Sequence, residues 1–222
     1  GLGAGAREIA VISEKMAKMD LAVATSFLAI CLGMDPIMVG ATPAQKEKWA
    51  EARKQLEKAV QLHPTYAAAW NDLGTALLNS GDRAGARAAL EKALASDAKF
   101  ISPYVQLAAL GAQEGKWDNV ADTAAKALHL DPFNYPNLYF LDAVAHLNLR
   151  HLDRAEKSAR EGLRLDSQHR FPFISHILGV ILANKGEYEE AALYLRAYLE
   201  LAPRAGDAAE ARKRLAEIEK VT

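Results

Sequence analysis

In the stretch AWNDLGTALLNSGDRAGARAALEKALASDA, Ala69 to Ala98, apolar side chains return at three- and four-residue steps, the spacing of one buried face on an α-helix. The pattern breaks around Gly81 and resumes, which predicts two helices, A and B, joined by a tight turn. Gly81 sits where helix A must stop and reverse, a place that favours left-handed backbone, and Asp82 follows as a natural N-cap for helix B. Gly74 lies inside helix A, where glycine costs about 1 kcal/mol relative to alanine. A close approach of helix B would offset that cost.

The arrangement recurs. SPYVQLAALGAQEGKWDNVADTAAKALHLDP matches it at an offset of 34, with Trp70 on Tyr104, Leu73 on Leu107, Gly74 on Ala108, Gly81 on Gly115, Leu90 on Ala124 and Ala93 on Ala127. PNLYFLDAVAHLNLRHLDRAEKSAREGLRLDS places Tyr139, Ala143, Ala155, Ala159 and Gly162 equivalently, after one extra loop residue. PFISHILGVILANKGEYEEAALYLRAYLELAP supplies Leu178, Gly179, Gly186, Ala191, Leu195 and Pro203. Upstream, KWAEARKQLEKAVQLHP repeats the second half alone through Ala52, Leu56, Ala59 and Pro64. Pro64, Pro132 and Pro203 end helix B, because the residue before a proline avoids helical geometry.

Period and pattern resemble the tetratricopeptide repeat, W-x2-L-G-x2-Y, then A-x3-F, then A and P. The resemblance runs from about Lys46 to Pro203. Ala98 and Ser167 depart from it at the closing proline, Arg150 at the turn glycine, where a slightly different and less favourable turn is expected, and Asp142 at a leucine position. The resemblance implies an all-α solenoid of helix-turn-helix units, stacked as a right-handed superhelix rather than around one globular core. The expected organisation is an irregular N-terminal helical extension or cap over 1–41 and a repeat array over 42–203. Within the array a half repeat covers 46–64 and full repeats cover 67–100, 101–134, 136–167 and 172–203. A capping helix follows over 204–222, with Ala208, Ala211, Leu215 and Ile218 on one side. In the extension, Met16, Met19, Met34 and Met38 would form part of that cap, an adaptable contact surface, or a lid over the groove. The opening GLGAGA has no initiating methionine, which suggests a processed or truncated start.

In such repeats the concave wall is lined mainly by helix A, and the resemblance implies a peptide-binding groove there. Carried over position by position, its residues are Asn71, Asp72, Thr75 and Asn79, then Ser102, Val105, Gln106, Ala109 and Gln113. Asn137, Phe140, Val144 and Asn148 follow, then His176, Ile177, Val180 and Asn184. No lysine or arginine is among them. That argues against the cationic clamp with which some members hold a chain-terminal carboxylate, since a desolvated carboxylate needs charge-assisted donors. Amides interleaved with aliphatic groups suit an extended peptide, whose N–H and C=O groups amides can satisfy. Each of these residues, taken singly, also suits a solvated helix face.

Catalysis finds no support. No glycine-rich phosphate loop, H-E-x-x-H pair or G-x-S-x-G elbow occurs. His146 and His176 fall on neighbouring A helices, with Asp142 one turn before His146, so a metal or acid–base site there is the alternative reading. Two histidines do not complete one, and His146 holds a packing position. His63, His129, His151 and His169 fall at helix ends or turns, and Trp49 and Trp117 read as interhelix packing. Glu156 and Arg160 make a charge pair on the outer face of a B helix, worth a few tenths of a kcal/mol. We therefore expect a non-enzymatic interaction scaffold without cofactor or metal, whose partner is a protein or peptide. A self-associating structural subunit is the other alternative.

Charge changes little in this picture. Lys plus Arg (27) and Asp plus Glu (28) cancel and form no block, so no field favours nucleic acid or an anionic membrane surface. The longest uncharged apolar run, Leu21 to Met34, is shorter than the roughly 18 to 20 residues that span a bilayer. A soluble protein follows, cytoplasmic or periplasmic, since the one cysteine, Cys31, leaves the redox compartment open.

Overall fold

The structure, a computed structural model, describes residues 43–220, with side chains from Ala50 onward. The expectations for the 1–41 segment, its methionines, Cys31 and the Trp49 side chain lie outside those residues. The described chain holds ten helices and no strand, in two compact units, one ending at Gln113 and the other beginning at Glu114.

The first unit contains α1 (Pro43–Leu62), α2 (Ala67–Asn79), α3 (Arg83–Ser96) and α4 (Ile101–Gln113). Each helix packs on the next, and α2 also touches α4. Leu56, Ala59 and Val60 of α1, Leu73, Ala76 and Leu77 of α2, and Ala86 and Ala89 of α3 form its core. The second unit contains α5 (Trp117–Leu130), α6 (Pro136–Asn148), α7 (Leu152–Leu165), α8 (Phe173–Lys185), α9 (Tyr188–Leu201) and α10 (Ala208–Ile218). Consecutive helices pack again, α6 touches α8, and α10 lays Ala211 and Ile218 into the core beside Leu182, Leu195 and Tyr198.

Small residues inside the A helices sit where helix B comes closest. A Cβ on Gly74 would lie 2.7 Å from Leu90 Cγ of α3, and one on Gly179 would lie 2.8 Å from Leu195 Cγ of α9. Ala143 and Ala108 hold the same places and are fully buried.

The A-to-B turns are alike. Gly81 and Gly186 adopt φ 81° and 83°, and in each turn the two N–H groups that follow helix A bond back to its last carbonyls, as Asp82 N does to Leu77 O at 2.9 Å. Arg150 corrects the expectation of a different turn. It takes φ 62° and the same paired bonds, with His151 N donating to His146 O at 2.8 Å. Left-handed backbone costs a side-chain-bearing residue roughly 1–2 kcal/mol, part of which glycine forfeits through its freer unfolded chain. Arg150→Gly should accordingly raise stability by about 0.5–1 kcal/mol, read as a higher urea midpoint at unchanged slope; a fall would contradict the strain. At the start of α3, Asp82 caps as expected, accepting from Gly85 N at 2.9 Å.

The B-to-A loops carry a device that the repeat pattern alone leaves unexplained. The aromatic in the first turn of helix A donates back across the loop: Trp70 Nε1 to Pro64 O at 2.7 Å, Tyr104 OH to Ala98 O at 3.0 Å, and Tyr139 OH to Pro132 O at 3.1 Å. Helix α3 ends at Ser96 without a closing proline because Asp97, in extended backbone, turns the chain and accepts Lys99 N at 2.9 Å. On the outer face, Glu156 and Arg160 exceed the isolated pair expected of them. Arg160 also forks onto both Glu190 oxygens at 2.9 Å, while Lys185 donates to Glu156 at 2.6 Å, joining α7, α8 and α9. These ion pairs hold the Glu156 and Glu190 carboxyls below their ordinary pKa, Lys185 being the main cause at Glu156 and Arg160 at Glu190.

Candidate functional site

In the first unit the A-helix face is built by α2 and α4, and its two buried amides, Asn71 and Gln106, are already engaged. Gln106 Nε2 donates to Asn71 Oδ1 at 2.9 Å, and the single hydroxyl proton of Thr75 is shared between Gln106 Oε1 at 3.0 Å and Asn71 O at 3.1 Å. Asn71 Nδ2 reaches Asp72 at 3.3 Å. Asn71 and Gln106 are 7% and 4% exposed, so this chain is an interhelix ladder and not an open row of hydrogen-bonding groups. Val105 and Ala109 are buried beside it. Asp72, Asn79 and Ser102 remain partly exposed and Gln113 is exposed.

The second unit presents a different face on α6 and α8. Phe140 is buried edge-on against Phe173, with ring centroids 4.5 Å apart, so it belongs to the core and not to a surface. Asn137, Val144, Ile177 and Val180 are partly exposed, and Asn148 and Asn184 are exposed. The two asparagines behave alike. Each donates its NH₂ to the carbonyl one turn back in its own helix, Asn148 to Val144 O and Asn184 to Val180 O, both at 2.8 Å. That leaves each amide oxygen to accept from outside.

His146 and His176 are held in separate polar clusters. His146 Nε2 lies 3.7 Å from Asp142 Oδ1, its ring is 5.6 Å from that of His151, and its buried Nδ1 has no hydrogen-bond partner among the described residues. Asp142 is satisfied chiefly by Ser158 Oγ, which donates at 2.5 Å; burial pushes its carboxyl above the usual carboxylate range, against the pull of Ser158 and His146. His176 instead faces the cap helix. Its Nδ1 lies 2.8 Å from Asp207 Oδ2 at the start of α10, its ring stacks on Tyr198 at 4.7 Å, and the Tyr198 hydroxyl donates to the other Asp207 oxygen. Burial lowers the pKa of His176, with Asp207 opposing, and raises that of Tyr198. These contacts fasten α8, α9 and α10 together. Among the described residues no group of three His, Cys, Asp or Glu side chains is placed to hold a metal ion, and no helix is long and apolar enough to cross a membrane.

Nothing in the sequence points to a part for α10 in the chemistry of this face, because residues 204–222 read there only as a capping helix. Its distance from the A-helix positions along the chain conceals their proximity in space.

Family models described as tetratricopeptide repeat match residues 44–110 and 140–206. No curated protein matches the chain. Among solved structures, PilF of Pseudomonas aeruginosa is similar at 18% identity and TM-score 0.68, over 88% of this chain and 84% of that one. YrrB, described as a tetratricopeptide protein with an unusual peptide-binding site, is similar at 20% identity and TM-score 0.63, over 75% and 84%. MamA is similar at 19% identity and TM-score 0.63, over 70% and 89%.

Proposed function

The chain belongs to the tetratricopeptide repeat family, and from that premise we propose that it is a non-enzymatic scaffold which binds an extended segment of a partner protein on the A-helix face of α6 and α8. The observation that carries this reading is the pair of matched asparagines: Asn148 and Asn184 are exposed on packed helices with an unused amide oxygen each, and half-buried Val144, Ile177 and Val180 precede them on the same two helices. Amide acceptors meet the N–H groups of a peptide, and the aliphatic groups take its alternate side chains. On α2 and α4 the two buried amides, Asn71 and Gln106, satisfy one another, and a peptide would have to break that ladder to use them; the positions there equivalent to Asn148 and Asn184 are Asn79 and Gln113. The peptide-binding site described for YrrB supports a binding role for this fold, and the separate engagement of His146 and His176 weighs against a joint acid–base or metal centre.

Peptides selected from a random display library against the whole protein should lose about thirtyfold in affinity when Asn148 and Asn184 are both changed to alanine, at about 1 kcal/mol per lost amide contact. Helicity by circular dichroism should not change. Unaltered affinity, or a library that yields no binder, would refute the site.

A further inference from the structure

Between the last turns of α8 and α10 lies an open cavity of about 360 Å³, toward the small end of the roughly 300–1,000 Å³ typical of ligand sites and roomy enough for one or two side chains. Ala183 and the buried Ile218 supply apolar lining, and the ring of Tyr188, 40% exposed at the start of α9, adds an aromatic wall. The polar lining is Asn184, Arg214 and Glu217. Arg214 is half-buried and has neither an ion pair nor a side-chain hydrogen bond among the described residues. Its charge is nonetheless felt at neighbouring His176. A guanidinium that has shed part of its water without gaining a carboxylate is under-solvated, and an incoming carboxylate would supply the missing partner. Glu217, on the same rim, is exposed and unpaired with Arg214, so it does not fill that role. The A-helix positions offer no cation; α10 brings one to the edge of the same face, beside Asn184.

We propose that this cavity receives an acidic–aliphatic step of the bound partner segment, the aliphatic side chain resting on Ala183 and Ile218 against Tyr188 and the side-chain carboxylate meeting Arg214. The assignment rests on the peptide-binding reading above, since Asn184 closes the row of acceptors along which the segment would run. Charge complementarity selects the acid, and the cavity's apolar lining and size select the neighbour.

The test uses the whole protein and four peptides: Ac-Ala-Asp-Leu-Ala-NH₂, its Asp→Asn and Leu→Ala analogues, and Ac-Ala-Asn-Leu with a free C-terminal carboxylate. Binding is followed by NMR at the Asn184 side-chain amide and Arg214 Nε–H. The Asp-Leu peptide should bind in the millimolar range and each amidated analogue about tenfold more weakly. Arg214→Gln should remove the preference for Asp over Asn without altering the thermal midpoint, and Tyr188→Ala should remove the preference for Leu over Ala. Absence of shifts at Asn184 and Arg214, equal binding of the Asn analogue, or equal binding of the peptide with the free terminus would overturn the assignment. Should the Asp-Leu peptide fail while library-selected peptides still depend on Asn148 and Asn184, the cavity assignment falls and the scaffold reading stands.

Discussion

Replacing Gly179 by alanine should destabilise the protein by about 2 kcal/mol, as an overpacked core site does, and the effect should fall to half or less once Leu195 is shortened. The new methyl would sit 2.8 Å from Leu195 Cγ, 3.1 Å from Leu195 Cδ2 and 3.1 Å from the Ala191 carbonyl oxygen. Leu195 is itself fully buried and cannot swing into solvent. Against this strain stands the better helix propensity of alanine, about 1 kcal/mol, which is too small to win. Leu195→Ala alone should cost about 3–4 kcal/mol, as other large-to-small core changes do. In that background both close carbon contacts disappear while the 3.1 Å contact with the Ala191 carbonyl stays, so Gly179→Ala should cost at most about 1 kcal/mol, its helix propensity offsetting what strain is left. The coupling between the two sites, about 1–2 kcal/mol, is readable from urea unfolding of the four proteins. Equal costs in both backgrounds would mean that the glycine is not there to admit helix B. Gly74→Ala should cost less than Gly179→Ala, since its nearest backbone oxygen, Ala86 O, is 3.4 Å away and cannot oppose a small adjustment of Leu90.

What was legible in the chain follows the range of the forces involved. Helix ends, glycine turns and the small residues of helix A depend on neighbours within one repeat, and the structure places Gly81, Asp82, Gly74 and Gly179 as their local chemistry dictates. At Arg150 the cost of the turn is as expected but its geometry is not, because a turn with two backbone bonds and a packed helix on either side can impose left-handed backbone on a residue that disfavours it. The candidate site was harder. Sequence position puts Asn71 and Asn184 on the same kind of helix face, yet Asn71 meets Gln106, 35 residues away, while Asn184 turns back on its own helix. Whether an amide is spent internally depends on which residue the next repeat offers it, and that is a property of pairs. The same limit hid Arg214 and Asp207, whose neighbours lie on α8 and α9.

The polar ladder and the open amides also divide labour within a repeat design of uniform appearance. Buried hydrogen bonds between Asn71, Thr75 and Gln106 fix the register of α2 against α4, because any slip would leave buried polar groups unsatisfied. On α6 and α8 the phenylalanines fix it instead, through Phe140 on Phe173, and the amides remain available.

Asp166 is the second place where a large effect is expected, because it replaces by hydrogen bonding what its neighbours achieve with a proline. The loop from Asp166 to Pro172 is longer than the other B-to-A loops, and it has neither a closing proline, Ser167 standing there, nor the donating aromatic of the other A helices, whose place Ser175 holds. Its carboxylate, 3% exposed, does so by accepting Arg170 N at 2.9 Å and Phe171 N at 2.7 Å. Those bonds place Phe171 against Phe173, 5.6 Å between centroids, and hold His169 at φ 52°. Asp166→Ala removes two charge-assisted bonds and strands both N–H groups, a loss of about 3 kcal/mol. Asp166→Asn keeps one accepting oxygen and should lose about half as much. Urea midpoints give the energies, and ring-proton shifts of Phe171 and Phe173 should move in the alanine variant. If the loop were instead held by burial of its phenylalanines alone, both variants would fall within about 0.5 kcal/mol of the parent, and the rings would stay where they are.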